Sequence, residues 1–164
     1  MEEGKFMRRL LFVLMLFLTF LMSACNEDKN LDDSKTAMIK KTNPKPALIS
    51  TNSKKQWNLI ESIKHDVASV DEIYDVAVVK GKKDTLVVYK VKHLRRFHMK
   101  KIEKNVLKKL EKKYPKEKFT VSSDYKIFLE AVKLKEKIEE DPKFSDKQAE
   151  KELQDIIKLT EELT

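Results

Sequence analysis

The chain has 164 residues but only two glycines, one cysteine and one tryptophan. With glycine confined to Gly4 and Gly81, it cannot build the Gly-rich loops that cradle phosphates in mononucleotide and dinucleotide sites, which disfavours most nucleotide-cofactor enzymes. One cysteine, Cys25, rules out an internal disulfide. His65, His93 and His98 have no metal-ligand spacing of the HExxH kind, so each reads as a surface or boundary residue. His65-Asp66 could orient a base, but neither a Gly-x-Ser-x-Gly elbow nor a second cysteine supplies a nucleophile for it to activate. The acids Asp71, Glu72 and Asp75 form a cluster that reads as a solvated loop in preference to a cation site. The chain therefore reads as a non-enzyme with no metal and no diffusible cofactor.

Apolar character, by contrast, is concentrated at one end. Lys5, Arg8 and Arg9 precede the thirteen-residue uncharged run Leu10 to Met22, and the small residues Ser23 and Ala24 then lead to Cys25. A charged segment, an apolar segment too short for the roughly 20 residues of a membrane span, and a small-residue site have the order of a signal peptide over residues 1–24. The row Met22-Ser23-Ala24-Cys25 resembles a bacterial lipobox, which implies lipidation of Cys25: the thiol takes a diacylglycerol and the cysteine becomes the new amino terminus. Further acylation, of the palmitate class, would then hold the protein on the outer face of the cytoplasmic membrane, because each buried CH2 contributes about 0.8 kcal/mol. The basic flank before the apolar run stays inside.

Residues 25–54 are polar, hold Pro44 and Pro46, and show no sustained period, so they read as a flexible tether. From there the pattern changes. Trp57, Ile60, Ile63, Val67 and Val70 recur at helical spacing, with Asn52 or Ser53 as cap and Trp57 as a core or sheet-end residue. Two β-rich runs, 73–80 and 85–94, flank a short connection containing Gly81 and predict an antiparallel hairpin whose polar face begins at Lys90. Met99, Ile102, Val106, Leu107, Leu110 and Tyr114 return to helical spacing before Pro115. A third strand fits 118–122, and its helical crossover from the second permits parallel pairing. The fold class is α+β: a three-stranded sheet with two helices on one face, in the order α-β-β-α-β over 55–123. Residues 124–164 form a C-terminal helical extension, with Ser123 or Asp124 as cap of its first helix and a capping box at Ser145-Asp146-Lys147-Gln148 for its last, a helix that can dock on the module or on a partner.

The succession Val67-Ala68-Ser69-Val70, Asp75-Val76-Ala77-Val78-Val79, Val87-Val88-Tyr89-Lys90-Val91, a Lys-rich helix and Phe119-Thr120-Val121-Ser122-Ser123-Asp124 resembles the YhcN/YlaJ family of sporulation lipoproteins. The element order is also similar to the BON domain and to ring-building motifs of secretion rings. The resemblance spans roughly residues 57 to 140 plus the leader. It implies a lipoprotein of the spore or forespore envelope that influences germination or assembly.

Charge is as unevenly distributed as hydrophobicity. The net of +8 conceals a stretch from Lys90 to Lys118 with thirteen basic residues against three acids, whereas the segment from Asp124 onward is net acidic. The candidate interface comprises Arg95, Arg96, Lys100, Lys101, Lys104, Lys108, Lys109, Lys112 and Lys113. Such a face suits anionic lipid head groups, at about 1 kcal/mol per cation near a charged bilayer, or an anionic wall polymer. A solvated helix face with no partner explains the same pattern. Nucleic acid fits poorly: an exported chain lacks access to it, and the helix is rich in Lys where base reading favours bidentate Arg. An acidic tail facing a basic module also permits an envelope-protein partner or head-to-tail self-association. The alternative function is an accessory or enzyme subunit acting on wall polymers.

Overall fold

In a computed structural model, residues 41–50 and 53–163 are described. The leader, Cys25, most of the expected tether and the candidate cap Asn52 lie outside them. The sheet is built around two eight-residue strands, β2 (Ile73–Lys80) and β3 (Asp84–Val91), paired antiparallel in the predicted hairpin with Val76 opposite Tyr89 and Val78 opposite Val87. Every residue of β3 is buried. Alternation along β3 sends Val87, Tyr89 and Val91 to one face and Leu86, Val88 and Lys90 to the other, so both faces of the sheet must be covered.

One face is covered as the spacing predicts. Helix α1 (Lys54–Ala68), capped by the Ser53 side chain accepting from the Gln56 amide at 3.3 Å, inserts Ile60, Ile63 and Val67. Helix α2 (Met99–Lys113) inserts Ile102, Val106 and Leu110, spaced by one turn each. Both meet Val76, Val78, Val87, Tyr89 and Val121 in one cluster. Trp57 does not join this core: at the start of α1 it remains 36% exposed. The opposite face is covered by α3 (Tyr125–Glu140) and α4 (Asp146–Glu162), whose Phe128, Leu134, Leu153 and Ile156 pack on Ala77, Val79, Leu86 and Val88. The last helix thus docks on the sheet. Its capping box forms as read, and Asp124 caps α3 by accepting from the amides of Lys126 and Ile127 at 2.7 and 3.2 Å. Layers of helix, sheet and helix result, and burying each Val, Leu, Ile or Phe stabilises by about 1.5–3 kcal/mol.

The sheet has four strands where three are predicted. Strand β1 (Ala47–Leu48) runs parallel to β2, and β4 (Lys118–Ser122) runs parallel to β3, giving the order β1-β2-β3-β4. The additional strand comes from the segment read as tether. The Thr42 and Asn43 amides donate to the Asp75 carboxylate at 2.8 and 2.9 Å, Lys64 Nζ donates to the Pro44 carbonyl at 2.7 Å, and the Ile49 amide donates to the Lys80 carbonyl at 2.9 Å. Two residues between prolines and a turn show no period, which is why the spacing misses them. With β1 included, the fold is a repeated unit: β1-α1-β2 and β3-α2-β4 each pair parallel strands through a helix, and the hairpin joins them.

Gly81 in that hairpin has a packing role. No glycine among the described residues has a positive φ, but a Cβ at Gly81 would sit 2.7 Å from Leu153 Cδ2 and 2.8 Å from the Glu150 carboxylate. Glycine lets α4 approach the turn, where Glu150 accepts from the Lys82 amide at 3.1 Å.

Candidate functional site

The second predicted strand ends at Val91, short of Leu94. Residues His93–His98 form a 3-10 turn with no buried residue, and α2 follows directly. Because Ile102, Val106 and Leu110 commit one side of α2 to the sheet, Lys100, Lys101, Lys104, Lys108 and Lys112 are held outward and exposed, with Arg95 and Arg96 exposed in the turn before them. None of these seven makes an ion pair among the described residues.

The remaining two predicted interface residues do something else. Lys109 Nζ donates to the Asp66 carbonyl at 2.8 Å and to Ser69 Oγ at 3.2 Å, while Lys113 Nζ pairs with the Asp66 carboxylate at 2.7 Å. The Tyr114 hydroxyl donates to the same carboxylate at 2.6 Å. These contacts fasten the end of α2 to α1. Burial alone would raise the Asp66 pKa, but the hydrogen bonds from Lys113 and Tyr114 outweigh it and hold the carboxyl below the usual range. Burial and the Asp66 carboxylate together push the Tyr114 phenol up. Asp66 is therefore engaged with a cation and a phenol, and His65 beside it is exposed.

Two further cations counted in the basic stretch are also spoken for. Lys90, predicted to begin a polar face, is 5% exposed and lies 3.2 Å from Asp75 Oδ2, with the Phe128 ring centroid 4.4 Å from its Nζ. Lys118 pairs with Asp84 at 2.7 Å. Asp75 feels burial most strongly, yet donation from the Thr42 amide and hydroxyl, from Lys90 and from the Asn43 amide leaves its pKa lowered. Asp75 belongs to the sheet interior, so the acidic cluster with Asp71 and Glu72 does not exist as a loop site. No group of three or more His, Cys, Asp or Glu placed to hold a metal occurs among the described residues.

What remains exposed and without an ion pair among the described residues is a set of nine cations: Lys92, Arg95, Arg96, Lys100, Lys101, Lys104, Lys108, Lys112 and Lys116. The local acids do not balance them. Glu103 accepts from the Ser123 amide and hydroxyl at 3.1 and 3.2 Å and Glu117 pairs with Lys80, which leaves the exposed Glu111 as one acid against nine cations. The start of α2 also breaks a stability rule. Its first turn has no acid, its N-cap His98 makes no side-chain cap, and Lys100 and Lys101 stand at the positive end of the helix dipole. Cations there oppose helix stability by a few tenths of a kcal/mol each. Seven of the nine residues named from the sequence are exposed and unpaired among the described residues, and two are engaged in the fold. The two staples could not be separated from them because their partner, Asp66, lies more than forty residues away.

Among the described residues no helix is long and apolar enough to cross a membrane. Comparison with family models, with curated proteins and with solved structures finds no match.

Proposed function

We propose that this chain is a non-catalytic bacterial lipoprotein, anchored through Cys25 to the outer face of the cytoplasmic membrane, whose globular module meets anionic envelope surfaces through the basic face of α2. The observation that carries the reading is the set of exposed cations on one side of α2 and the turn before it, which make no ion pair among the described residues while Lys80, Lys90, Lys113 and Lys118 around them do. The leader and the lipobox-like Met22-Ser23-Ala24-Cys25 supply the anchor. Sixteen residues separate Cys25 from Thr42, at most about 55 Å of chain, so an anchored module stays within reach of the bilayer. The resemblance of the element order to sporulation lipoproteins supports a setting in the spore or forespore envelope.

The test is the intact mass and membrane partitioning of the mature chain, wild type against Cys25→Ala. The wild type is expected to carry acyl mass and sediment with membranes, and Cys25→Ala to lose the acyl mass. A wild type without acyl mass, or two forms that both stay soluble, contradicts the anchor.

A further inference from the structure

The turn between β3 and α2 holds the two most exposed large apolar side chains among the described residues, Leu94 at 87% and Phe97 at 95%. Neither contributes to the fold, because the His93–His98 turn buries nothing. A 3-10 turn has three residues per turn, so side chains three apart stack in one row, and Leu94 and Phe97 share a side. Arg95 and Arg96 lie between them in sequence, and Lys92, Lys100 and Lys101 flank the segment; residues 92–101 contain five Lys and Arg and no acid. The Glu72 carbonyl accepts from the Lys92 amide at 2.8 Å, which sets Glu72 beside one end of the segment, and Glu103 follows its other end in the chain.

We infer that Leu94 and Phe97 form an insertion wedge that enters the interface of an anionic lipid bilayer while the surrounding cations sit among its head groups. The inference rests on the reading of the basic face given above and narrows its target. A hydrated polyanion such as a wall polymer satisfies the cations but offers no apolar phase to Phe97. A bilayer with acidic head groups satisfies both, in the manner of interfacial segments that combine basic and apolar residues. Transfer of a Phe or Leu side chain out of water changes affinity by about tenfold or more, so the pair has the strength to hold the turn at the interface once electrostatic attraction has brought it there.

The experiment uses the full lipidated chain in vesicles of phosphatidylcholine, alone or with about one-third phosphatidylglycerol to supply negative surface charge. Acylated Cys25 has no thiol, so Phe97→Cys gives a single site for an environment-sensitive NBD label. Acyl mass is confirmed first, and a chain lacking it is labelled in a Cys25→Ser background. Phe97 is nearly fully exposed, so the substitution leaves the core intact. With phosphatidylglycerol, the label at 97 is expected to shift to the blue and to be quenched by lipids brominated in their acyl chains. In phosphatidylcholine it stays water-like. A label at Lys82→Cys, on the turn at the other end of β3, is expected to stay water-like in both.

If a label at Lys104→Cys responds to phosphatidylglycerol while the label at 97 does not, the wedge is wrong and the basic-face reading survives. If neither position responds, both readings fall. If the Lys82 label is quenched as strongly as the Phe97 label, the assigned orientation is overturned.

Discussion

Lysine is used in two opposite ways in this molecule. In the sheet, Lys80 and Lys90 are 4% and 5% exposed, and each meets a carboxylate: Glu117 for Lys80 and Asp75 for Lys90. On α2, Lys100, Lys101, Lys104, Lys108 and Lys112 are exposed and meet none among the described residues. Burying a charge without a partner is costly, so the fold brings in acids from β2 and from the approach to β4, and fixes Asp75 further with Thr42 and Asn43. Water carries that cost on the surface, and there the sequence leaves the positive charge unbalanced. Balanced charge is structural here, and unbalanced charge stays at the surface, where the proposed function uses it.

The largest effect that would break this contrast is at Asp75. Asp75→Ala leaves Lys90 buried beside Phe128 without its carboxylate and frees the Thr42 and Asn43 amides, so unfolding in denaturant should show a loss of about 3–5 kcal/mol. A loss below about 1 kcal/mol would mean the interior pair is no more demanding than a surface one.

Acid gives a second measure of the same interior. Asp66, Asp75 and Asp84 are all held below the ordinary carboxylate range, in each case because hydrogen bonds outweigh burial. As pH falls through about 4 the unfolded chain takes up protons that the folded chain still refuses, so stability drops; above about pH 5 both states are ionised and the contribution is complete. Thermal melts should therefore be flat near neutrality and fall below about pH 4, with a shallower acid slope in Asp75→Asn. An unchanged slope in that variant would remove Asp75 from the account.

Smaller effects grade the contrast. Glu117→Ala, which strips Lys80 and Thr85 of their acceptor, should cost about 2 kcal/mol. Asp66→Ala releases Lys113 and Tyr114 at the more exposed junction between α1 and α2 and should cost about 1 kcal/mol. Lys104→Ala should change stability by less than about 0.5 kcal/mol, and a larger loss would show that the open face has a structural role.

Much of the fold was legible because period 2 and period 3.6 are imposed by burial. Val87, Tyr89 and Val91 alternate because β3 is central, and Ile102, Val106 and Leu110 recur because one side of α2 faces the sheet. β1 was not legible: two residues cannot show a period, and what holds Ala47–Leu48 in place is pairing to Val79 and Lys80 about thirty residues on. The positions of Lys90 and Lys80 were hidden for a related reason. A lysine in a strand reads as a solvent-facing residue until the acid opposite it is known, and Asp75 pairs with Lys90 only through the hairpin register and the irregularity between Ile73 and Asp75. The basic face was legible in outline, since charge is counted along the chain, but which cations remain open depends on tertiary partners such as Asp66. The exposure of Leu94 was concealed because it closes a β-rich run that the structure ends at Val91, and Phe97 falls between that run and the helical spacing from Met99.

The central claim, that the open cations meet an anionic membrane, is tested most directly by energy transfer from Trp57, the only tryptophan, to a dansyl head-group lipid in vesicles bearing the lipidated chain. Transfer should rise when phosphatidylglycerol is added, fall as salt is raised, and be lost in the triple variant Lys100→Glu, Lys104→Glu, Lys108→Glu, because exposed charges attract over a screening length of about 8 Å at physiological salt. Transfer that is the same with and without phosphatidylglycerol, or undiminished in the triple variant, would contradict the account.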